Sequence, residues 1–194
     1  MNTRMKYGLI ALLLLATTPL AMADEPPRHG WWFDIGAGPA SLSTGSGAPI
    51  TGSGVLLDTM IGGRLNEHWL MGLQLGGASH NASDYSDTDL GGTLSHAMLA
   101  VRYLPRGDHG WICGLGVGSA FYNNAGIELY TGNYSSGSGW AGNAALGYDW
   151  KVGKGSTHIQ TMLNVEQGHI SLGSPLAGGF SYTAIAASVH FAWY

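Results

Sequence analysis

The chain has 194 residues, 32 of which are glycine, and a formal net charge of −4 at pH 7. This length predicts one domain, and eight Lys and Arg against twelve acidic residues exclude a nucleic-acid-binding surface built on clustered basic residues. Cys113 is the only cysteine, which excludes an internal disulfide.

Residues 1–23 have the three parts of a secretory signal peptide. Arg4 and Lys6 form a positive start, an apolar run follows, and the sequence Ala21-Met22-Ala23 is a small-x-small cleavage site. We therefore expect a cleaved signal peptide and a mature domain that comprises residues 24–194.

Apolar and polar residues then alternate in eight segments, which predicts eight β-strands. We expect these strands at residues 31–40, 55–65, 69–79, 93–104, 111–122, 140–151, 157–167 and 180–194. The last segment is the clearest, because Ile185, Val189 and Trp193 share an apolar face while the opposite face is small or polar. Since lipid cannot satisfy an open sheet edge, a membrane-spanning chain with this pattern must close into a barrel.

The connections between these segments alternate in length. Three are short, at residues 66–68, 105–110 and 152–156. Four are long and rich in Gly, Ser, Asn and Asp, at residues 41–54, 79–92, 123–139 and 168–179. Short periplasmic turns and long outer loops are typical of bacterial outer membrane barrels, so we expect both termini on the periplasmic side.

Aromatic residues concentrate near the predicted strand ends, as the interface belts of membrane barrels do. We expect a periplasmic girdle of nine residues near the short turns and the termini: Trp31, Trp32, Trp69, Tyr103, Trp111, Tyr148, Trp150, Trp193 and Tyr194. We expect an outer girdle of five residues near the long loops: Phe121, Tyr122, Trp140, Phe180 and Tyr182.

With this strand pattern, length and aromatic C-terminal segment, the mature chain resembles the small eight-stranded outer membrane β-barrel proteins, the class of outer membrane proteins A and X. The resemblance implies an all-β fold, an eight-stranded antiparallel up-and-down transmembrane β-barrel in the cell outer membrane of a Gram-negative bacterium. The alternative fold, a secreted β-sandwich, would not need an apolar outer face around the whole sheet.

The same resemblance implies the partners of such a barrel. These are the outer membrane lipids and lipopolysaccharide around it, and the periplasmic chaperones and barrel-assembly machinery that insert it. Phe191, Trp193 and Tyr194 would form the assembly signal. The usual assembly signal ends in a lipid-facing aromatic residue. Here the last residue with the apolar, lipid-facing parity is Trp193, and the final residue, Tyr194, has the opposite parity.

The opposite parity of the strands predicts a polar lumen. An eight-stranded barrel is just wide enough for side chains to fill, and buried charges must be paired. We therefore expect a plugged lumen with a charge-paired network near the short turns, formed by Asp34, Arg64, Arg102, Asp149, His158 and His190. Asp58, His96 and Glu166 lie higher, where structural packing is our expectation and a metal or proton site is the alternative. We expect no cofactor.

One short motif resembles an enzyme site. Gly168-His169-Ile170-Ser171 lies where the seventh strand is expected to end, and lipid A deacylases are eight-stranded barrels with a His-x-Ser in a corresponding place. That resemblance implies His169 as the general base and Ser171 as the nucleophile. The family has Asn after the Ser and an orienting Glu further on, whereas here Leu172 follows, and in this alternative Glu166 is the acidic residue that would orient His169.

These patterns predict a non-enzymatic outer membrane barrel that contributes to envelope integrity or surface interaction through four Gly/Ser-rich loops. The alternatives are a lipid A deacylase-like hydrolase and a small-solute channel. The four long loops contain no Lys or Arg, which argues against strong capture of lipopolysaccharide phosphates. The sequence leaves a surface ligand undefined.

Overall fold

Eight antiparallel strands form one closed sheet. The computed structural model describes residues 30–45, 51–82, 90–107, 109–124, 135–153, 156–173 and 178–194; the predicted signal peptide and the middle of each long loop lie outside the described residues. The strands are β1 (Trp31–Thr44), β2 (Thr51–Arg64), β3 (Trp69–Ala82), β4 (Leu90–Tyr103), β5 (Gly110–Asn124), β6 (Ser135–Lys151), β7 (Thr157–Leu172) and β8 (Gly178–Trp193). Each strand pairs with the next, and β8 pairs with β1. The predicted all-β, eight-stranded antiparallel barrel is therefore confirmed. Within the described part of the chain, no helix has the length and apolar character needed to cross a membrane.

The outer wall of this barrel is apolar and exposed. Leu57 on β2, Leu99 on β4 and Val117 on β5 are 64%, 59% and 64% exposed. Along β8, exposed and buried positions alternate from residue to residue, so that Ile185 points outward and Ala184 inward. Contiguous exposed apolar surface of this extent is rare in soluble monomers. It is typical of the lipid-facing band of a membrane barrel.

The strands extend further toward the long loops than the sequence pattern predicted. β6 begins at Ser135 instead of residue 140, β7 ends at Leu172 instead of 167, and β4 begins at Leu90 instead of 93. The prediction was wrong at these ends because it relied on alternating side chains. The additional segments are rich in Gly and Ser, which pair through their backbones without giving an apolar face.

Five predicted girdle aromatics lie inside the barrel, which corrects that expectation. Trp32, Tyr122, Phe180 and Tyr182 are at most 4% exposed, and the ring of Tyr194 stacks on Trp32 with 6.2 Å between centroids. The reason is strand parity, because each of the five shares the inward face of its strand. The outward aromatics, such as Trp31, Trp111 and Trp150, remain in the expected girdle at the short-turn end of the barrel.

Two facing glycines allow a close approach between β2 and β3. Gly62 and Gly72 are directly paired. A Cβ atom on Gly62 would overlap the carbonyl oxygen of Met71, and one on Gly72 would overlap that of Ile61. Such glycines permit the tight bend that a narrow barrel requires.

Candidate functional site

The lumen near the short turns contains a continuous hydrogen-bonded chain, which we call the lower lumen network. Its centre is Asp34 on β1, which is fully buried. Arg102 Nη1 donates to Asp34 Oδ2 at 2.5 Å, and His190 Nδ1 donates to Asp34 Oδ1 at 3.0 Å. His190 Nε2 lies 2.8 Å from Ser188 Oγ, and the Arg102 guanidinium lies 4.8 Å from the ring centroid of Trp32. Both oxygens of this buried carboxylate are therefore paired.

The network continues to the opposite wall through Gln160. Arg102 donates to Gln160 Oε1 at 3.2 Å, and Gln160 Nε2 donates to the Tyr194 hydroxyl at 2.6 Å. That hydroxyl donates to Asp149 Oδ2 at 3.0 Å, and His158 Nδ1 lies 3.0 Å from Asp149 Oδ1. A phenol keeps its proton at neutral pH, so the Tyr194 hydroxyl can donate this hydrogen bond. The network joins β1, β4, β6, β7 and β8, and the residues that compose it are Asp34, Arg102, Asp149, His158, Gln160, Ser188, His190 and Tyr194.

Small residues opposite the long polar side chains make room for this network. A Cβ atom on Gly36 would overlap the imidazole ring of His190. A Cβ atom on Gly114 would lie 3.4 Å from Cγ of Arg102. The alternation of glycine with polar residues on the inward parity therefore has a packing reason.

Arg64 lies at the end of the lumen, apart from the carboxylates with which the sequence predicted it to pair. Its guanidinium donates to the backbone carbonyl oxygens of Glu67 at 2.7 Å, of Asn66 at 3.2 Å and of Gly107. It also lies 5.5 Å from the ring centroid of Tyr194. Arg64 thus ties two short turns together and covers the lower lumen network at the short-turn end.

A second polar group, the upper lumen cluster, lies closer to the long loops. His96 Nδ1 on β4 lies 2.8 Å from Glu166 Oε2 on β7, and Tyr182 donates its hydroxyl to Glu166 Oε1 at 2.6 Å. Asp58 Oδ1 on β2 lies 3.6 Å from His96 Nε2. The structure therefore brings together Asp58, His96 and Glu166, although their strands are not all neighbours, because these side chains meet across the lumen.

Two amides complete the upper lumen cluster on its other side. Gln74 Nε2 donates to Asp58 Oδ2 at 2.7 Å, and Asn143 Nδ2 donates to Gln74 Oε1 at 3.0 Å. Asp58, Gln74 and Asn143 are all buried. The second carboxylate oxygen of Asp58 is thus fixed by a neutral donor, and its first oxygen faces His96.

Apolar side chains fill the lumen around both polar groups. One apolar cluster comprises Leu42, Leu94, Met98, Ala120, Tyr122, Ala141, Ile170, Phe180, Tyr182 and Ala184. A second comprises Trp32, Met60, Leu70, Ala100, Leu104, Ile112 and Met162. The cavity beside the upper lumen cluster has a volume of about 20 Å³, which is room for one water molecule. The described part of the lumen is therefore packed with side chains.

His169 and Ser171 lie within β7 and share its outward face, whereas the sequence placed them at the start of a loop. His169 Nδ1 lies 3.3 Å from Ser181 Oγ on β8. Glu166 has the opposite parity and contacts His96 and Tyr182 inside the barrel. The wall of the barrel thus separates Glu166 from the His-x-Ser pair, and the carboxylate does not orient His169.

The residues of the predicted assembly signal divide between the two faces of the wall. Phe191 and Trp193 are exposed on the outer face, where Trp193 stacks on Phe33 at 5.7 Å between centroids. Tyr194 points into the lumen and belongs to the lower lumen network.

The sequence analysis did not assign Ser188, Tyr182, Tyr194 or the ring of Trp32 to a polar group, although the alternation of the last strand put the first three on its inward parity. Strand parity was the signal that could have found them. Each shares the inward parity with a lumen residue that the sequence identified, as Trp32 does with Asp34.

The comparisons with known proteins identify the fold. No protein-family model and no curated protein matches the chain. Among solved structures, the chain is similar to Neisserial surface protein A (NspA), at 12% identity and a TM-score of 0.53, over 84% of this chain and 97% of that one. It is also similar to Ail, the attachment invasion locus protein of Yersinia pestis, at 11% identity and a TM-score of 0.50, over 84% of this chain and 99% of that one. The chain has the fold of the small eight-stranded outer membrane β-barrels.

Proposed function

We propose that this protein is a non-enzymatic integral outer membrane barrel that contributes to envelope integrity or surface interaction. The observation that carries the proposal is the apolar belt on the outside of a closed sheet, as in Leu57, Leu99 and Val117. Such a belt stabilises the barrel in lipid and would be costly in water. The fold shared with NspA and Ail supports the same location.

The filled lumen favours a structural role over conduction. Arg102 and Asp34 pair across the barrel, and apolar clusters pack against both polar groups. A conducting pore needs a continuous water path, and the cavity beside the upper lumen cluster holds about one water molecule. The channel alternative has no structural observation in its favour within the described lumen.

Surface interaction would involve the long-loop end, with the termini and short turns in the periplasm. Small barrels of similar fold are described as a surface protein and as an attachment protein, and the latter was crystallised with sucrose octasulfate, a heparin analogue. The long loops of this chain have no Lys or Arg. We therefore propose a neutral or weakly polar surface partner, because a polyanion would require basic groups.

One observation favours the second candidate, a lipid A-modifying hydrolase. His169 and Ser171 face outward near the long-loop end of β7, the side where lipid would lie. A nucleophilic serine also needs a base that is held in place by a third group. His169 contacts the Ser181 hydroxyl, which is not an acidic group that could orient it.

Lipid A mass spectrometry distinguishes the two candidates. Cells that express the wild-type chain, the Ser171→Ala variant or no barrel are expected to give identical lipid A spectra, because Glu166 is on the wrong side of the wall to orient His169. An Asn164→Ala variant, changed in the lumen of the same strand, controls for effects on expression. Loss of one acyl chain with the wild type alone would overturn the non-enzymatic proposal and make His169 and Ser171 catalytic.

A further inference from the structure

One histidine of the upper lumen cluster lies between two buried carboxylates. His96 Nδ1 lies 2.8 Å from Glu166 Oε2, and His96 Nε2 lies 3.6 Å from Asp58 Oδ1. The three side chains are at most 10% exposed. Because buried charges are stable only when they are paired, the stability of the cluster depends on the charge of this imidazole.

The other hydrogen bonds of the two carboxylates come from neutral donors. The Tyr182 hydroxyl on β8 donates to Glu166 Oε1, and Gln74 Nε2 on β3 donates to Asp58 Oδ2. These donors orient the carboxylates without balancing their charge. His96 is therefore the group that can supply the positive charge between them.

The other charges of the lumen are not available to this cluster. Arg102, the other charged residue on the inward face of β4, pairs with Asp34 in the lower lumen network. The inward face of β5 contributes one titratable side chain, Tyr122, and a phenol is neutral near pH 7. The cavity beside His96 is otherwise lined by amides and apolar side chains. Among the described side chains, the two carboxylates are thus the charged groups that face His96.

A glycine on β3 allows the side chains of this cluster to approach each other. His96 is directly paired with Gly76 on β3 and with Ala120 on β5. A Cβ atom on Gly76 would lie 2.7 Å from Asp58 Oδ1 and 2.8 Å from His96 Nε2. The lack of a side chain at Gly76 therefore lets side chains from β2 and β4 meet across β3.

A neutral His96 ring would leave this arrangement unsatisfied. A carboxylate only accepts hydrogen bonds, so Nδ1 carries a proton toward Glu166. In a neutral ring, Nε2 would then direct its lone pair at Asp58 Oδ1, and both atoms would be buried without a hydrogen-bond partner. A second proton on Nε2 turns the same contact into an ion pair.

We propose that the upper lumen cluster is a proton-binding site, in which the folded barrel holds an imidazolium at His96 between Asp58 and Glu166. The cation joins β2, β4 and β7 across the lumen, and its extra proton is released when the barrel unfolds. Histidine in an unfolded chain loses this proton above about pH 6.5. The contribution of the site to stability is therefore fully present below that pH and is lost as the pH rises above it.

Nitrogen NMR of the histidine rings tests the charge directly. The full barrel, labelled with ¹⁵N-histidine and folded in detergent micelles, is measured at about pH 8, where an ordinary histidine is neutral. His96→Gln is expected to remove the signals of a ring that carries protons on both nitrogens. If the signals removed are those of a ring with one N–H, the proposal is wrong.

Asp58→Asn decides the NMR test if His96→Gln does not fold. This variant keeps the size of the side chain and removes the carboxylate that faces Nε2. It is expected to leave the ring of His96 with the Nδ1 proton alone at the same pH. Unchanged signals from all histidine rings in Asp58→Asn would overturn the proposal.

Unfolding by urea in phospholipid vesicles tests the coupling to stability. Between about pH 7 and about pH 9, the unfolding equilibrium constant of wild type is expected to rise more steeply than that of His96→Gln. The difference is about tenfold per pH unit, the effect of one proton. His169→Gln is the matched control, because it removes a histidine from the outer face of β7, and it is expected to keep the wild-type slope. Equal slopes for wild type and His96→Gln would overturn the coupling.

Discussion

Replacing Arg102 by methionine is expected to lower the free energy of unfolding by about 3–5 kcal/mol, because it removes the arginine cation from a buried carboxylate and leaves Asp34 Oδ2 without its donor. Arg102 holds Asp34 at 2.5 Å, and the Asp34 side chain is fully buried. His190 then remains as the neighbour that Asp34 contacts in the lower lumen network. Urea unfolding of the barrel in phospholipid vesicles, followed by tryptophan fluorescence, measures this loss.

Two further variants distinguish the loss of the Arg102–Asp34 ion pair from the effect of removing any arginine. Arg106→Met removes an exposed arginine from a short turn and is expected to change stability by less than about 0.5 kcal/mol. Combining Arg102→Met with Asp34→Asn removes both charges of the pair and is expected to recover part of the loss. Equal stabilities of Arg102→Met and wild type would show that this pair does not hold the lumen closed.

The second large effect is expected on the outer wall, at Leu99. An Arg substitution there is expected to cost about 2–4 kcal/mol in a bilayer, the range for a basic residue at the midplane of a membrane barrel. Leu99 is central in the apolar face of β4, between Leu73 on β3 and Val117 on β5. The same unfolding experiment in vesicles measures the change.

Thr93→Arg is the matched control for depth. Thr93 lies on the same face of the same strand, six residues closer to the long loops, and it pairs with Ser79 and Asn123. A basic residue near the membrane interface is expected to cost about 0–1 kcal/mol. Equal small effects at Leu99 and Thr93 would indicate that water, not lipid, covers the apolar belt.

The period of two was sufficient to predict the barrel and its two faces. A strand side chain points inward or outward according to its parity, and lipid selects apolar residues on one face only. Asp34, Asp58, Arg102 and Glu166 were placed inside for this reason, and each is inside. The aromatic girdle was over-predicted because Trp32 and Tyr182 were assigned by nearness to a strand end, without regard to parity.

Contacts between distant strands were beyond the reach of the sequence. The pattern placed both Arg64 and Arg102 in the lumen, but of these two arginines it is Arg102 that contacts Asp34. The Arg64 guanidinium instead donates hydrogen bonds to three backbone carbonyl oxygens in the short turns. The distance between His96 and Asp58 depends on barrel width and on the stagger of strands that do not touch. Side-chain reach across a lumen therefore has no signature in a single sequence.

The most direct measurement is the location and heat response of the full chain in Gram-negative cells. The protein is expected in the outer membrane fraction, and a sample in SDS is expected to migrate faster before boiling than after it, because the closed sheet resists the detergent. The Leu99→Arg variant should show less of the fast-migrating form. A protein found in the periplasmic fraction, with the same mobility before and after boiling, would contradict a lipid-embedded barrel.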